Sequence, residues 1–171
     1  HGFGGAAPPF AILTMLALIA LMALYHGLCG WLAGRLPGVG GAWSLLLAFP
    51  GAWTLVEWLR GWFLSGFPWL SLGFGQLDGP LAPWAPVAGV HGVGLVVALA
   101  AGALAVMLAG GGGRQRLAGL GVLVLLAALT AAVTGREWVR PSGQTLAVTL
   151  VQGGIGQERK WRPEEREETL N

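Results

Sequence analysis

The stretch Phe10-Ala11-Ile12-Leu13-Thr14-Met15-Leu16-Ala17-Leu18-Ile19-Ala20-Leu21 continues through Tyr25, His26 and Cys29 to Leu32 without one Asp, Glu, Lys or Arg. A helix needs roughly 20 predominantly apolar residues to cross the hydrocarbon core of a bilayer. This run is long enough. It follows Pro8-Pro9 and stops at Gly34-Arg35-Leu36-Pro37-Gly38, so it predicts a first membrane-spanning helix over residues 10–32.

Three more runs read the same way. Residues 43–63 form the second and contain Pro50-Gly51, which predicts a kink. Residues 86–109 form the third. Residues 117–134 form the fourth and shortest, after the loop Gly110-Gly111-Gly112-Gly113-Arg114-Gln115-Arg116. Between the second and third, residues 64–85 are apolar but rich in Gly, Pro and Trp, which oppose a regular helix. This stretch reads as a loop lying in the interface, with Trp69 and Trp84 as boundary anchors.

Composition agrees. Of 171 residues, 54% are hydrophobic and 11% charged, where a soluble domain carries about a quarter charged. Such a chain is solvated by lipid. Its 30 Gly and 9 Trp fit close helix packing and interface anchoring. The net charge of +2 forms no basic groove with interleaved aromatics, which excludes nucleic acid as a partner. Cys29 stands alone, so no internal disulfide framework exists. His1, His26 and His91 have no metal-ligand spacing, and no metal site is expected. The first residue is not Met and the last residues form a charged, helix-like run, so the chain reads as part of a longer protein.

Charge placement predicts orientation. Arg35, Arg114 and Arg116 mark the cytoplasmic side, and residues 64–85, without Lys or Arg, lie outside. Four crossings then put everything after Thr134 outside. There the run Thr145-Leu146-Ala147-Val148-Thr149-Leu150-Val151 reads as a buried strand. A loop from Gln152 and a helix starting at Pro163 with Glu164 and Glu165 would follow. Strand, loop and helix together suit the opening of an α/β domain. The fold class is therefore an α-helical polytopic membrane protein leading into an α/β domain, with a bundle over residues 1–140 and the soluble start over 141–171.

Several residues invite chemistry. Glu57 and Arg60 are three apart on the second helix and share a face. They form either an ion pair near the outer boundary or part of a polar pathway. Cys29 with His26 resembles a nucleophile and its base, but an apolar helix position favours packing. His91 reads as a helix-interface histidine. Gly30-xxx-Gly34 matches the close-packing motif, and Gly92-Val93-Gly94 lacks the strand and Lys of a phosphate loop.

Glu57-Trp58-Leu59-Arg60-Gly61, Ser65-Gly66-Phe67-Pro68-Trp69, Gln76-Leu77-Asp78-Gly79-Pro80 and the stretch from Leu150-Val151-Gln152-Gly153 to Lys160-Trp161 resemble apolipoprotein N-acyltransferases in order and spacing. That family is a membrane-bound branch of the nitrilase, or carbon-nitrogen hydrolase, superfamily. Gly153-Gly154-Ile155-Gly156 departs from its usual Gln-Gly-Asn/Asp-Ile-Pro form. The resemblance implies helices four to seven of eight, plus the first strand of a periplasmic nitrilase-like domain, in the bacterial inner membrane. It implies acyl transfer from a phospholipid to the amino group of a diacylglyceryl-cysteine apolipoprotein, through a thioester, by a monomer without cofactor. The family's catalytic Glu, Lys and Cys would lie beyond Asn171, so no catalytic residue is assigned here. Arg60, Gly66, Trp69 and Trp161 match family positions associated with function, and Phe67 and Pro68 complete an apolar loop suited to acyl-donor access. A transporter or channel subunit, or a plain membrane anchor, are the competing classes.

Overall fold

A computed structural model describes residues 7–36, 41–109, 112–143, 145–152 and 154. They divide into two units. One comprises Met22–Trp138; the other joins the chain up to Leu21 with the chain from Val139 onward.

Helix α1 runs Pro8–Arg35, with prolines in its first turn where no N–H is needed. The Thr14 hydroxyl donates to the Phe10 carbonyl at 2.9 Å, so this polar group is satisfied inside an apolar run. At the other end the Arg35 guanidinium lies 4.7 Å from the centre of the Trp31 ring, a cation at the negative end of the helix dipole.

The second expected span is composite. A π-helical turn, Ser44–Ala48, leads into helix α2, Phe49–Arg60. Pro50 explains the wide turn: it offers no N–H and its ring would crowd the carbonyl four residues back. Pro50 itself is fully buried. Among the described residues, three helices are long and apolar enough to cross a membrane: Pro8–Arg35, Ala82–Leu108 and Gly113–Val133. Of the four expected spans, three are such helices, and the second, expected to be kinked at Pro50-Gly51, is this composite one.

Helix α3, Ala85–Leu108, is entered through the 3₁₀ turn Ala82–Trp84. Gly89 interrupts it at φ 64° and ψ −172°, a conformation essentially reserved for glycine. Helix α4, Gly113–Val133, starts earlier than its apolar run, because Arg114 and Arg116 fit the first turn with their side chains exposed. α3 is the hub: it packs on α2, on the π-helical turn, on α4 and on the 3₁₀ turns that precede it.

Glycines set these contacts. A Cβ on Gly102 would collide with the Leu45 carbonyl of the π-helical turn. One on Gly119 would sit 2.8 Å from the Ala103 carbonyl oxygen and 2.9 Å from Met107. Among the described residues no partner meets the expected Gly30-xxx-Gly34 face, since a Cβ added at either glycine would have nothing within 4 Å. A spacing of four shows that small residues share a face, not that another helix meets that face.

The strand expected at residues 145–151 does not form. These residues have no regular structure, and Leu146, Val148, Leu150 and Val151 are exposed. A strand exists only through hydrogen bonds to a neighbour, and no other strand occurs among the described residues. The described residues between 141 and 154 thus contain neither helix nor strand. Gly153, Trp161 and the helix expected from Pro163 lie outside the described residues.

Candidate functional site

Within Met22–Trp138 the chain after α2 reverses sharply. The helix ends at Gly61, whose N–H reaches the carbonyls of Trp58 and Glu57. A 3₁₀ turn, Phe63–Ser65, follows. Gly66 then takes φ 77°, and a Cβ there would collide with the Gly61 carbonyl. Only glycine fits so tight a return. The return lets the Phe67 N–H donate to the Arg60 carbonyl at 2.7 Å, closing the loop onto the helix end.

Two leucines in this loop, Leu64 (φ 52°) and Leu70 (φ 61°), hold the left-handed conformation. Each costs of order 1–3 kcal/mol, so the surroundings must impose the shape. Both are also exposed, Leu64 at 68% and Leu70 at 87%. Trp69 is exposed beside them, its ring centre 5.1 Å from that of Phe67. Apolar side chains displayed in this way suit lipid better than water.

A buried polar pair holds the loop. Glu57 and Arg60 are 5% and 9% exposed. Glu57 Oε1 accepts the Leu72 N–H at 2.8 Å and lies 3.8 Å from Arg60 Nη2. Arg60 Nη1 donates to the Trp69 carbonyl at 3.0 Å. The Ser71 hydroxyl donates to the Pro68 carbonyl at 3.1 Å. Next comes the 3₁₀ turn Leu72–Gln76, pressed against α3 at Gly73, where a Cβ would strike the Val90 carbonyl. Gly94 of α3 leaves the carboxylate its space: a Cβ there would be 3.2 Å from Glu57 Oε2.

Beside the pair lies an apolar cavity of about 200 Å³. α1 contributes Met22, Tyr25, His26 and Cys29; α2 contributes Trp53, Val56, Glu57 and Arg60; the loop contributes Phe67 and Leu70. The His26 and Trp53 rings meet edge to face at 5.6 Å, and His26 Nδ1 is 3.0 Å from the Met22 carbonyl oxygen. Trp53 Nε1, Glu57 Oε2 and His91 Nδ1 are buried without a hydrogen-bond partner among the described residues. A wider groove of about 660 Å³ runs between α3 and α4, with Val96, Leu123 and Thr130 in its walls. At its edge Trp84 Nε1 donates to the Thr130 hydroxyl at 2.9 Å.

The model of the apolipoprotein N-acyltransferase N-terminal domain matches residues 1–103. The chain belongs to the apolipoprotein N-acyltransferase family. Relatives bearing that name include the protein of Chromobacterium violaceum, 46% identical over 99% of this chain and 33% of the relative. The protein of Methylococcus capsulatus is 41% identical over 97% of the chain and 33% of the relative, and that of Photobacterium profundum 41% over 98% and 32%. The chain thus spans about a third of the length of these curated relatives.

Of the residues singled out from sequence, Arg60, Gly66, Phe67, Pro68 and Trp69 fall in this one loop and its anchor; Trp161 lies outside the described residues. Glu57 and Arg60 face the loop backbone together. Tyr25, Trp53, Val56 and Leu70 line the cavity without having been singled out. No sequence signal marks them, because their meeting depends on which helix faces are apposed.

Proposed function

We propose that this chain is the lipid-access part of an enzyme that N-acylates apolipoproteins, with the 66–72 loop and the adjoining cavity seating the phospholipid acyl donor. The observation that carries this is the exposed, strained, aromatic loop fastened to a helix end by a buried Glu–Arg pair. Strain of this kind persists where the surroundings over-determine it, and it clusters at sites that bind or react.

In this reading a phospholipid leaves the bilayer sideways and packs an acyl chain against Phe67, Pro68, Trp69 and Leu70. Gly66 and Arg60 fix the loop, and Trp161 lines the mouth of the active site. The chemistry takes place on a periplasmic nitrilase-like domain that begins within residues 141–171. A Cys thiolate attacks the acyl ester, forming a thioester and releasing a lysophospholipid. The free amino group of a diacylglyceryl-cysteine lipoprotein then takes the acyl chain, and the thiolate is regenerated. The catalytic Glu, Lys and Cys of that reaction are not among residues 1–171. Arg35, Arg114 and Arg116 face the cytoplasm, and the enzyme is a monomer in the bacterial inner membrane.

A transporter would turn Glu57 and Arg60 towards a pathway. Their use on loop backbone, through Leu72 N–H and the Trp69 carbonyl, favours the acyl-donor reading. The test is Trp69→Ala and Phe67→Ala in the full-length protein. Membrane insertion should be unchanged while acyl transfer from phospholipid falls. Normal transfer in both variants would overturn the proposal.

A further inference from the structure

We infer that Glu57, a residue the family resemblance leaves without a role, is a positioning residue for acyl-donor binding; this rests on the acyltransferase reading above. The contact distances decide what its carboxylate is for. Oε1 is 2.8 Å from the Leu72 N–H but 3.8 Å from the nearest Arg60 nitrogen. Its close partner is therefore loop backbone, and the arginine is the second, looser one.

Arg60 completes the brace from the other side through the Trp69 carbonyl at 3.0 Å. The pair grips the chain at Trp69 and again at Leu72, spanning Leu70, which is held at φ 61°. Neither grip alone fixes that intervening segment. The carboxylate is 5% exposed and enclosed on one side by Gly94. A charged group is costly at such a place, and its removal would leave the Leu72 amide without its acceptor. Glu57 acts on the donor only through the position of Trp69 and Leu70 and touches no reacting atom.

The experiment uses the full-length protein in vesicles of phosphatidylethanolamine and phosphatidylglycerol, with Glu57→Ala and Glu57→Gln. Amide hydrogen exchange at Leu72 and the KM for phospholipid are both read. In Glu57→Ala we expect exchange at Leu72 to rise, and phospholipid KM to rise, each by at least about tenfold. Glu57→Gln keeps an oxygen that can accept the same N–H and should recover most of both. A merely structural glutamate would lower the folded, active fraction and give no shift confined to KM. Unchanged exchange at Leu72 in Glu57→Ala overturns the brace. Faster exchange with unchanged KM overturns the positioning role and leaves the acyltransferase reading intact. A wild-type protein that transfers no acyl chain overturns the acyltransferase reading and Glu57's part in it, while the exchange rates still report on the brace.

Discussion

The span Ala82–Leu108, which contains α3, and helix α4 are almost equally apolar, yet 39% of the most apolar stretch of the first is buried against 6% of that of the second. Hydropathy states which solvent a helix tolerates; it does not state what the helix touches. The difference lies in how many faces of each helix are met: α4 packs on α3 through Gly119, whereas α3 meets neighbours on several sides. On α3, Gly94 makes room for the Glu57 carboxylate and Gly102 for the Leu45 carbonyl. On α4, Gly121 meets nothing within 4 Å, and Leu117, Val124 and Leu125 point outward. α3 is a packing hub against which the candidate site rests, whereas α4 presents a mainly apolar outer face suited to hydrocarbon.

The sharpest way to break this contrast is to disturb the buried pair that α3 helps enclose. Arg60→Ala leaves Glu57 buried without its cation and the Trp69 carbonyl without its donor. Unfolding of the full-length protein in detergent should become easier by about 3 kcal/mol. Arg60→Lys should cost less but more than nothing, because one ammonium cannot reproduce the guanidinium fork. Gly102→Val comes next: the new side chain meets backbone that cannot swing away, and we expect a loss of about 2 kcal/mol in the same measurement. Trp84→Phe removes the hydrogen bond to Thr130 and should cost about 0.6 kcal/mol, a usual value between membrane helices. Gly121→Ala on α4 should change stability by less than about 0.5 kcal/mol. Equal effects for Gly102→Val and Gly121→Ala would erase the distinction between the two helices.

Much of the fold was legible in the sequence. The apolar runs at 10–32 and 86–109 correspond to Pro8–Arg35 and Ala85–Leu108, because length and lack of charge are properties of the chain itself. Pro50 was legible as a disturbance, though not as a π-helical turn. The Gly89 break was not foreseen, since a lone glycine in an apolar run looks like any packing glycine.

The site was legible as a group of side chains and illegible as a mechanism. That Glu57 and Arg60 share a face follows from their spacing. Their partners, the Leu72 N–H and the Trp69 carbonyl, are backbone groups that every residue carries, so no pattern can name them. The run at 145–151 failed in the opposite sense. Its β-branched residues are suited to a strand, but a strand also needs a neighbour, and composition cannot supply one.

The most direct test of the acyl-donor role is photo-crosslinking in the full-length protein, using a phospholipid that carries a diazirine next to its acyl ester. Labelled peptides should be enriched for the loop residues Phe67, Trp69 and Leu70 over Leu125 and Leu129 of α4, which are apolar and also exposed. Labelling shared evenly between loop and helix would mean that the loop is only another lipid-facing surface, and would contradict its role in seating the donor.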